Sequence, residues 1–239
     1  MRNKKISLLE ILDTFSVIIA LIVFVFSLDI ILSRWISPNV LAPIDAIILI
    51  LGTMLLALYS PYRMKWIGIS GGWRKTNQEI ENKVREIVRK IMKRGDGIVS
   101  GGALGVDFIA LDEALKYDLK AERIKIFLPT TLEKYAEHLK RKAREGVVKS
   151  EKVKALLNQL RKLKEINPKA LIENPDTNFT EETKKKMYYQ RNTKIVEASD
   201  ELIAFRIKTK ESEGLGTLDT INKAKEKGIP VKVFEFILD

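Results

Sequence analysis

The chain changes its hydrophobic pattern once, near residue 62. Before that point two apolar runs stand almost unbroken, FSVIIALIVFVFSLDIILS at 15–33 and LAPIDAIILILGTMLLALYS at 41–60. Each is apolar on every side of a helix and long enough, at 1.5 Å per residue, to cross a hydrocarbon core of about 30 Å. RWISPNV links them with a proline and an asparagine suited to a tight turn, and Trp35, Tyr59 and Tyr62 fall where interfacial aromatics belong. Beyond residue 62, short apolar runs alternate with amphipathic stretches. Strands are predicted at 66–70, 97–100, 123–128, 201–207 and 231–236, and helices at 76–94, 106–117, 181–198 and 216–227. Residues 132–165 read as one long, very basic helical region, and 167–178 as an irregular link. Strands separated by single helices predict an α/β, Rossmann-like parallel sheet with helices on both faces, preceded by a two-helix transmembrane hairpin. The expected domains are the hairpin, 1–62, and the Rossmann-like domain, 63–239, with a basic helical insertion at about 132–180.

Charge sharpens this division. Residues 1–61 hold as many basic as acidic residues, so the rest of the 239-residue chain carries the whole net charge of +11. Such a domain attracts polyanions: nucleotides, nucleic acid or an anionic membrane face. Arg2, Lys4 and Lys5 precede the first run and Arg63 and Lys65 follow the second, while only Arg34 lies between. The positive-inside rule therefore puts both ends in the cytoplasm and the protein in the cell membrane, with lipid as a partner. Asp29 and Asp45 fall near the hairpin end of their runs, where they snorkel to the outer interface or pair within the membrane. The absence of cysteine excludes a disulfide framework, a thiolate metal site and a catalytic thiol, and a single histidine, His138, excludes a multi-histidine metal cluster.

In a parallel sheet, ligands bind beyond the carboxyl ends of the strands. Three glycine-rich loops are expected there: Ser70-Gly71-Gly72, Ser100-Gly101-Gly102-Ala103-Leu104-Gly105-Val106-Asp107, and Glu213-Gly214-Leu215-Gly216-Thr217. Glycines let backbone amides approach an anion, and a following helix adds free N–H groups and a favourable field. Three such loops on one edge predict a phosphate-bearing ligand. Neither the P-loop spacing nor the dinucleotide fingerprint is present. Trp73 and Arg74 follow the first loop and suit base stacking and phosphate pairing. Asp107 either orients a ligand hydroxyl or hydrogen-bonds free loop amides. Glu213 is the one acid inside a phosphate-type loop. Tyr188 and Tyr189 read as core residues.

Three blocks carry a resemblance. SGGALGVDFIALDEAL (100–115), RNTKIVEASDELIAF (191–205) and GLGTLDTINKAKEKGIPVKVF (214–234) resemble, in order and spacing, the SLOG superfamily. Its members include the Smf/DprA DNA-processing proteins and the LOG phosphoribohydrolases. The resemblance covers about 66–128 and 187–236; the basic region 132–180 departs from it. The LOG motif PGGxGTxxE falls on Ser212–Thr220, where Gly214, Gly216 and Thr217 are kept. Its catalytic glutamate falls on Thr220, which cannot act as a carboxylate acid or base. Asp219 is one residue away, about 100° around a helix. Arg191 matches the family arginine and can grip a phosphate, while the lysine that follows it is Asn192 here. SLOG domains fused to paired transmembrane helices act as sensors in prokaryotic defence. The resemblance therefore implies a membrane-anchored sensor of a nucleotide-derived signal, acting as a homo-oligomer, with no cofactor beyond the nucleotide ligand and no metal. The alternatives are a LOG-like nucleoside monophosphate phosphoribohydrolase and a DprA-like single-stranded DNA-binding protein, with nucleic acid as partner.

Overall fold

A computed structural model describes residues 63–73, 75–210 and 212–238, with scattered positions between 20 and 52. The chain divides into two compact units, Met1–Arg63 and Met64–Asp239. The expected spans at 15–33 and 41–60 lie largely outside the described residues, as do Asp29, Trp35, Asp45, Tyr59 and Tyr62. Among the described residues no helix is long and apolar enough to cross a membrane. That finding corrects the expected membrane localisation. The lipid partner, which rested on those spans, loses its ground with them.

The second unit is a six-stranded, all-parallel sheet in the order β4-β3-β2-β1-β5-β6. The strands are β1 (Trp66–Gly71), β2 (Gly97–Ser100), β3 (Ile124–Phe127), β4 (Leu171–Ile172), β5 (Glu201–Thr209) and β6 (Val231–Leu238). The helices are α1 (Gln78–Lys93), α2 (Val106–Ala114), α3 (Leu132–Arg144), α4 (Ser150–Ile166), α5 (Lys184–Glu197) and α6 (Leu215–Lys227). This is a Rossmann-like α/β fold. The chain leaves β1 outward through β2, β3 and β4, then returns to β5 on the other side of β1. The topological switch point therefore lies between β1 and β5, where the carboxyl ends of neighbouring strands feed loops that diverge.

Burial explains why these strands form the centre. Ile67, Ile69, Ile98 and Val99 are fully buried, as expected where helices cover both faces of a parallel sheet. Strand β5 shows the two faces by alternation. Leu202 and Ala204 pack with Val196 of α5 and with Ile221 and Ala224 of α6. Ile203, Phe205 and Ile207 join the larger core on the opposite face. Helix α1 follows from its apolar stripe, Ile80, Val84, Ile87, Val88 and Ile91, and from its cap: the Asn77 side chain accepts from the Ile80 amide at 2.9 Å.

Two expected elements differ. The long basic helix at 132–165 is two helices, α3 and α4, broken at Gly146, whose φ of +73° a side chain would strain. Their leucines, among them Leu139, Leu156, Leu160 and Leu163, are buried in the main core. The link at 167–178 contains a 3₁₀ turn, Pro168–Ala170, and the short edge strand β4.

Candidate functional site

The three glycine loops all leave the carboxyl edge of the sheet, and the structure joins them. The first and second meet backbone to backbone. The Val106 amide, which opens α2, donates to the Gly72 carbonyl at 3.1 Å. A Cβ on Gly105, whose φ is +72°, would lie 2.3 Å from that carbonyl oxygen, and one on Gly71 would lie 2.5 Å from Val106. Glycine is therefore required here by close packing. Gly72 in turn packs on Ile207. The first loop also reaches α6, since Ser70 Oγ lies 3.4 Å from Thr220 Oγ1. Ser100 is buried, and its hydroxyl donates to the Ile69 carbonyl at 3.0 Å, tying β2 to β1.

The second and third loops are joined through two consecutive residues of α5. Arg191 Nη1 donates to the Gly101 carbonyl at 2.7 Å and lies 3.6 Å from Asp107 Oδ2. Asn192 is buried; its amide donates to Asp219 Oδ2 at 2.9 Å and to the Gly216 carbonyl at 3.4 Å. One turn of α5 thus holds the start of α2 on one side and the start of α6 on the other. Lys223 also donates to Asp219, at 2.7 Å, and to the Tyr189 carbonyl at 2.9 Å. Asp219 therefore binds α6 to α5.

Asp107 serves the loop from inside. Its carboxylate is buried and accepts from the Ala103 amide at 3.2 Å. Burial pushes its pKa up, and Arg191, the loop amides and Ser100 pull it back. The second loop thus already encloses a carboxyl group, supplied by its own helix. Gly102, with φ +60°, packs under Ile126 and Leu128.

Arg191 is the cation at the centre. Its side chain is 12 % exposed, and Nη2 has no hydrogen-bond partner among the described residues. Its Nε is buried and likewise unpartnered. Gly101 makes room for it: a Cβ there would fall 1.5 Å from Nη1. Tyr188, one helical turn earlier, places its ring 5.6 Å from the guanidinium carbon. Tyr135 of α3 is buried and lies near Tyr188. Burial pushes the Tyr188 hydroxyl up to about 12 and raises Tyr135 as well, so both rings stay neutral beside the cation. This tyrosine pair is the part of the site that a core reading of Tyr188 misses; its spacing of three residues from Arg191 is the signal that finds it.

The third loop is the open one. Helix α6 starts on Gly214, in the left-handed region, with no side-chain cap. The amides of Leu215 and Gly216 have no acceptor among the described residues, and both residues are exposed. They are the free donors that a helix start offers to an anion. Thr217 is buried. Glu213 is exposed, and its charge is offset by Arg206 at 3.6 Å. Thr220 is fully buried and donates to the Gly216 carbonyl at 3.1 Å. Trp73 stands 39 % exposed beyond the first loop, and Arg74 lies outside the described residues.

The sequence profile of DNA recombination-mediator protein A matches residues 60–237. No curated protein matches the chain. Among solved structures, DNA processing protein A from Helicobacter pylori, described for its single-stranded DNA binding mode, is 20% identical. The match covers 71% of this chain and 64% of that one, with a TM-score of 0.46. DNA processing protein A from Streptococcus pneumoniae is 18% identical over 71% of this chain and 50% of that one, at 0.45. The molybdenum cofactor binding protein from Rippkaea orientalis is 18% identical over 73% and 78%, also at 0.45. The chain thus spans less than two thirds of the length of the two DNA processing proteins.

Proposed function

The chain belongs to the DNA recombination-mediator protein A family, and from that premise we propose that its Rossmann-like unit binds single-stranded DNA at the carboxyl edge of the sheet. The observation that carries the reading is that two consecutive residues of α5 hold two of the glycine loops, Arg191 the second and Asn192 the third. A guanidinium whose Nη2 has no hydrogen-bond partner among the described residues stands beside Gly101, and the next residue, Asn192, holds the α6 start in place. The Leu215 and Gly216 amides there suit a phosphate oxygen. Arg191 suits a second, because a guanidinium bonds phosphate directionally. Trp73 supplies a partly exposed ring on which a base can stack.

A strand reading needs no catalytic carboxylate and no cofactor. The position of the LOG glutamate is Thr220, buried against its own helix. Asp219 is turned into the α5–α6 contact by Asn192 and Lys223. A mononucleotide shares the phosphate chemistry of a strand, so the test compares the two. The full chain, titrated against labelled oligothymidylate by fluorescence anisotropy, is expected to bind saturably. Its log K should fall with log salt by about 0.7 per phosphate contacted. Nucleoside monophosphates should compete only weakly and release no free base. Tight mononucleotide binding without strand binding would replace this reading with a nucleotide sensor, and release of base would replace it with a hydrolase.

A further inference from the structure

Helices α3 and α4 enclose a cleft of about 500 Å³ on the basic insertion. Lys140 and Arg144 of α3 line it, four residues apart and so on one face of that helix. Lys154, Asn158 and Arg161 of α4 line it at spacings of four and three. Its apolar floor includes Val153 and Leu157, both buried. No carboxylate lines it among the described residues.

The four cations share a further property. Several basic residues of this domain are neutralised in place: Arg85, Arg89 and Lys116 pair with Glu113, and Lys83 and Lys90 with Glu86. Even within α3, Arg141 and Lys142 pair with Glu145. The side chains of Lys140, Arg144, Lys154 and Arg161 have no ion pair or hydrogen bond among the described residues, and all four residues are exposed. Like charges brought together without counter-charge are costly unless an anion joins them. Another cleft, of about 480 Å³, lacks this property: Glu182 stands on its wall, and its Lys223 is already bound to Asp219.

The cleft is also tied to the edge described above. Gln159 of α4 donates to the Phe108 carbonyl in the first turn of α2, at 3.2 Å. Leu160 packs at the second glycine loop, 3.4 Å from where a Cβ on Gly102 would lie. The α4 segment that carries Lys154, Asn158 and Arg161 is therefore anchored beside that loop. The helix begins on Lys149 without a side-chain cap, and Ser150 lines the cleft.

We infer that this cleft is a second phosphate-binding surface, taking a further stretch of the DNA strand held at the glycine loops. The inference rests on the proposed strand binding and goes beyond it by assigning the insertion a contact. Four unneutralised cations fit a polyphosphate backbone. The cleft's volume is comparable to that of a small-molecule pocket.

The test uses the full chain and oligothymidylates of two lengths. One variant carries Lys140→Gln, Arg144→Gln, Lys154→Gln and Arg161→Gln. A control removes the same charge from exposed positions at the amino-terminal edge, with Lys65→Gln, Lys93→Gln, Lys120→Gln and Lys225→Gln. The cleft variant is expected to melt with the wild type and to bind the long oligomer about tenfold or more weakly. Its salt slope should be shallower by about 2 to 3, because each lost phosphate contact removes about 0.7. Its binding of the short oligomer and the binding of the control should change much less. If the wild type binds the strand and the cleft variant matches it in affinity and slope, the inference is overturned and the proposed function stands. If the wild type binds no strand, both fall. If the cleft cations are needed for binding poly-glutamate but not the strand, the cleft belongs to acidic protein segments and the inference is again overturned.

Discussion

The Arg191 guanidinium lies directly on Gly101: Nη1 donates to the Gly101 carbonyl at 2.7 Å, and a Cβ at that residue would fall 1.5 Å from the same nitrogen. Gly101→Ala therefore forces the guanidinium off the loop without changing any charge. The expected outcome is a loss of strand affinity of about tenfold or more, since a hydrogen bond to a charged group is worth about 1.5–3 kcal/mol. Circular dichroism should show the fold retained, and anisotropy reads the affinity.

Arg191→Ala removes the cation itself and leaves Asp107 buried with its loop amides alone. This variant should lose strand binding and also stability, by about 2–4 kcal/mol, because a buried carboxylate loses its opposite charge. Arg191→Lys keeps the charge but not the planar fork, so it should recover most of the stability and only part of the affinity. Thermal melts and anisotropy on the same three proteins separate the two effects.

Gly105→Ala tests the contact between the first two loops. The residue has φ +72°, and its Cβ would fall 2.3 Å from the Gly72 carbonyl oxygen. Backbone strain of this kind costs about 1–3 kcal/mol, and the clash adds to it. The melting temperature should fall by several degrees, more than for Gly216→Ala, where a Cβ meets nothing within 4 Å.

Asp107 and Glu113 give opposite pH dependences. Burial raises the Asp107 pKa above its unfolded value of about 4. Its contribution favours folding below that value and is lost as pH rises through the folded pKa. At Glu113 burial also acts upward, but hydrogen bonds from Lys116, Arg89 and Arg85 outweigh it and hold the pKa low. Its contribution is present above the unfolded pKa and is lost as pH falls through the folded one. Denaturant melts across acidic pH should show Glu113→Gln losing the acid-limb slope that Asp107→Asn keeps.

Much of this arrangement is legible in the sequence. Strands β1, β2 and β5 read as apolar runs because both faces of the sheet are covered. Helices α1 and α6 read as amphipathic stretches between the strands, while the cap of α1 at Asn77 is seen only in the structure. Strand β4 escapes because two residues carry no period. The α3–α4 break escapes because lysines and leucines run on at helical spacing on both sides of Gly146. At the site, the three glycine loops and Arg191 are visible as motifs. The inward role of Asp107 is one of two readings the sequence leaves open, and only the fold brings Tyr135 of α3 near Tyr188. The apolar runs before residue 62 suggest membrane spans by hydropathy, an expectation corrected above.

The most direct test of strand binding at this edge is photocrosslinking of the full chain to oligothymidylate carrying halogenated uracils, with the adducts located by mass spectrometry. Adducts in residues 70–77, 188–192 and 213–217, reduced in Gly101→Ala, are the predicted result. A strand that crosslinks efficiently but leaves all three segments unmodified would contradict the account.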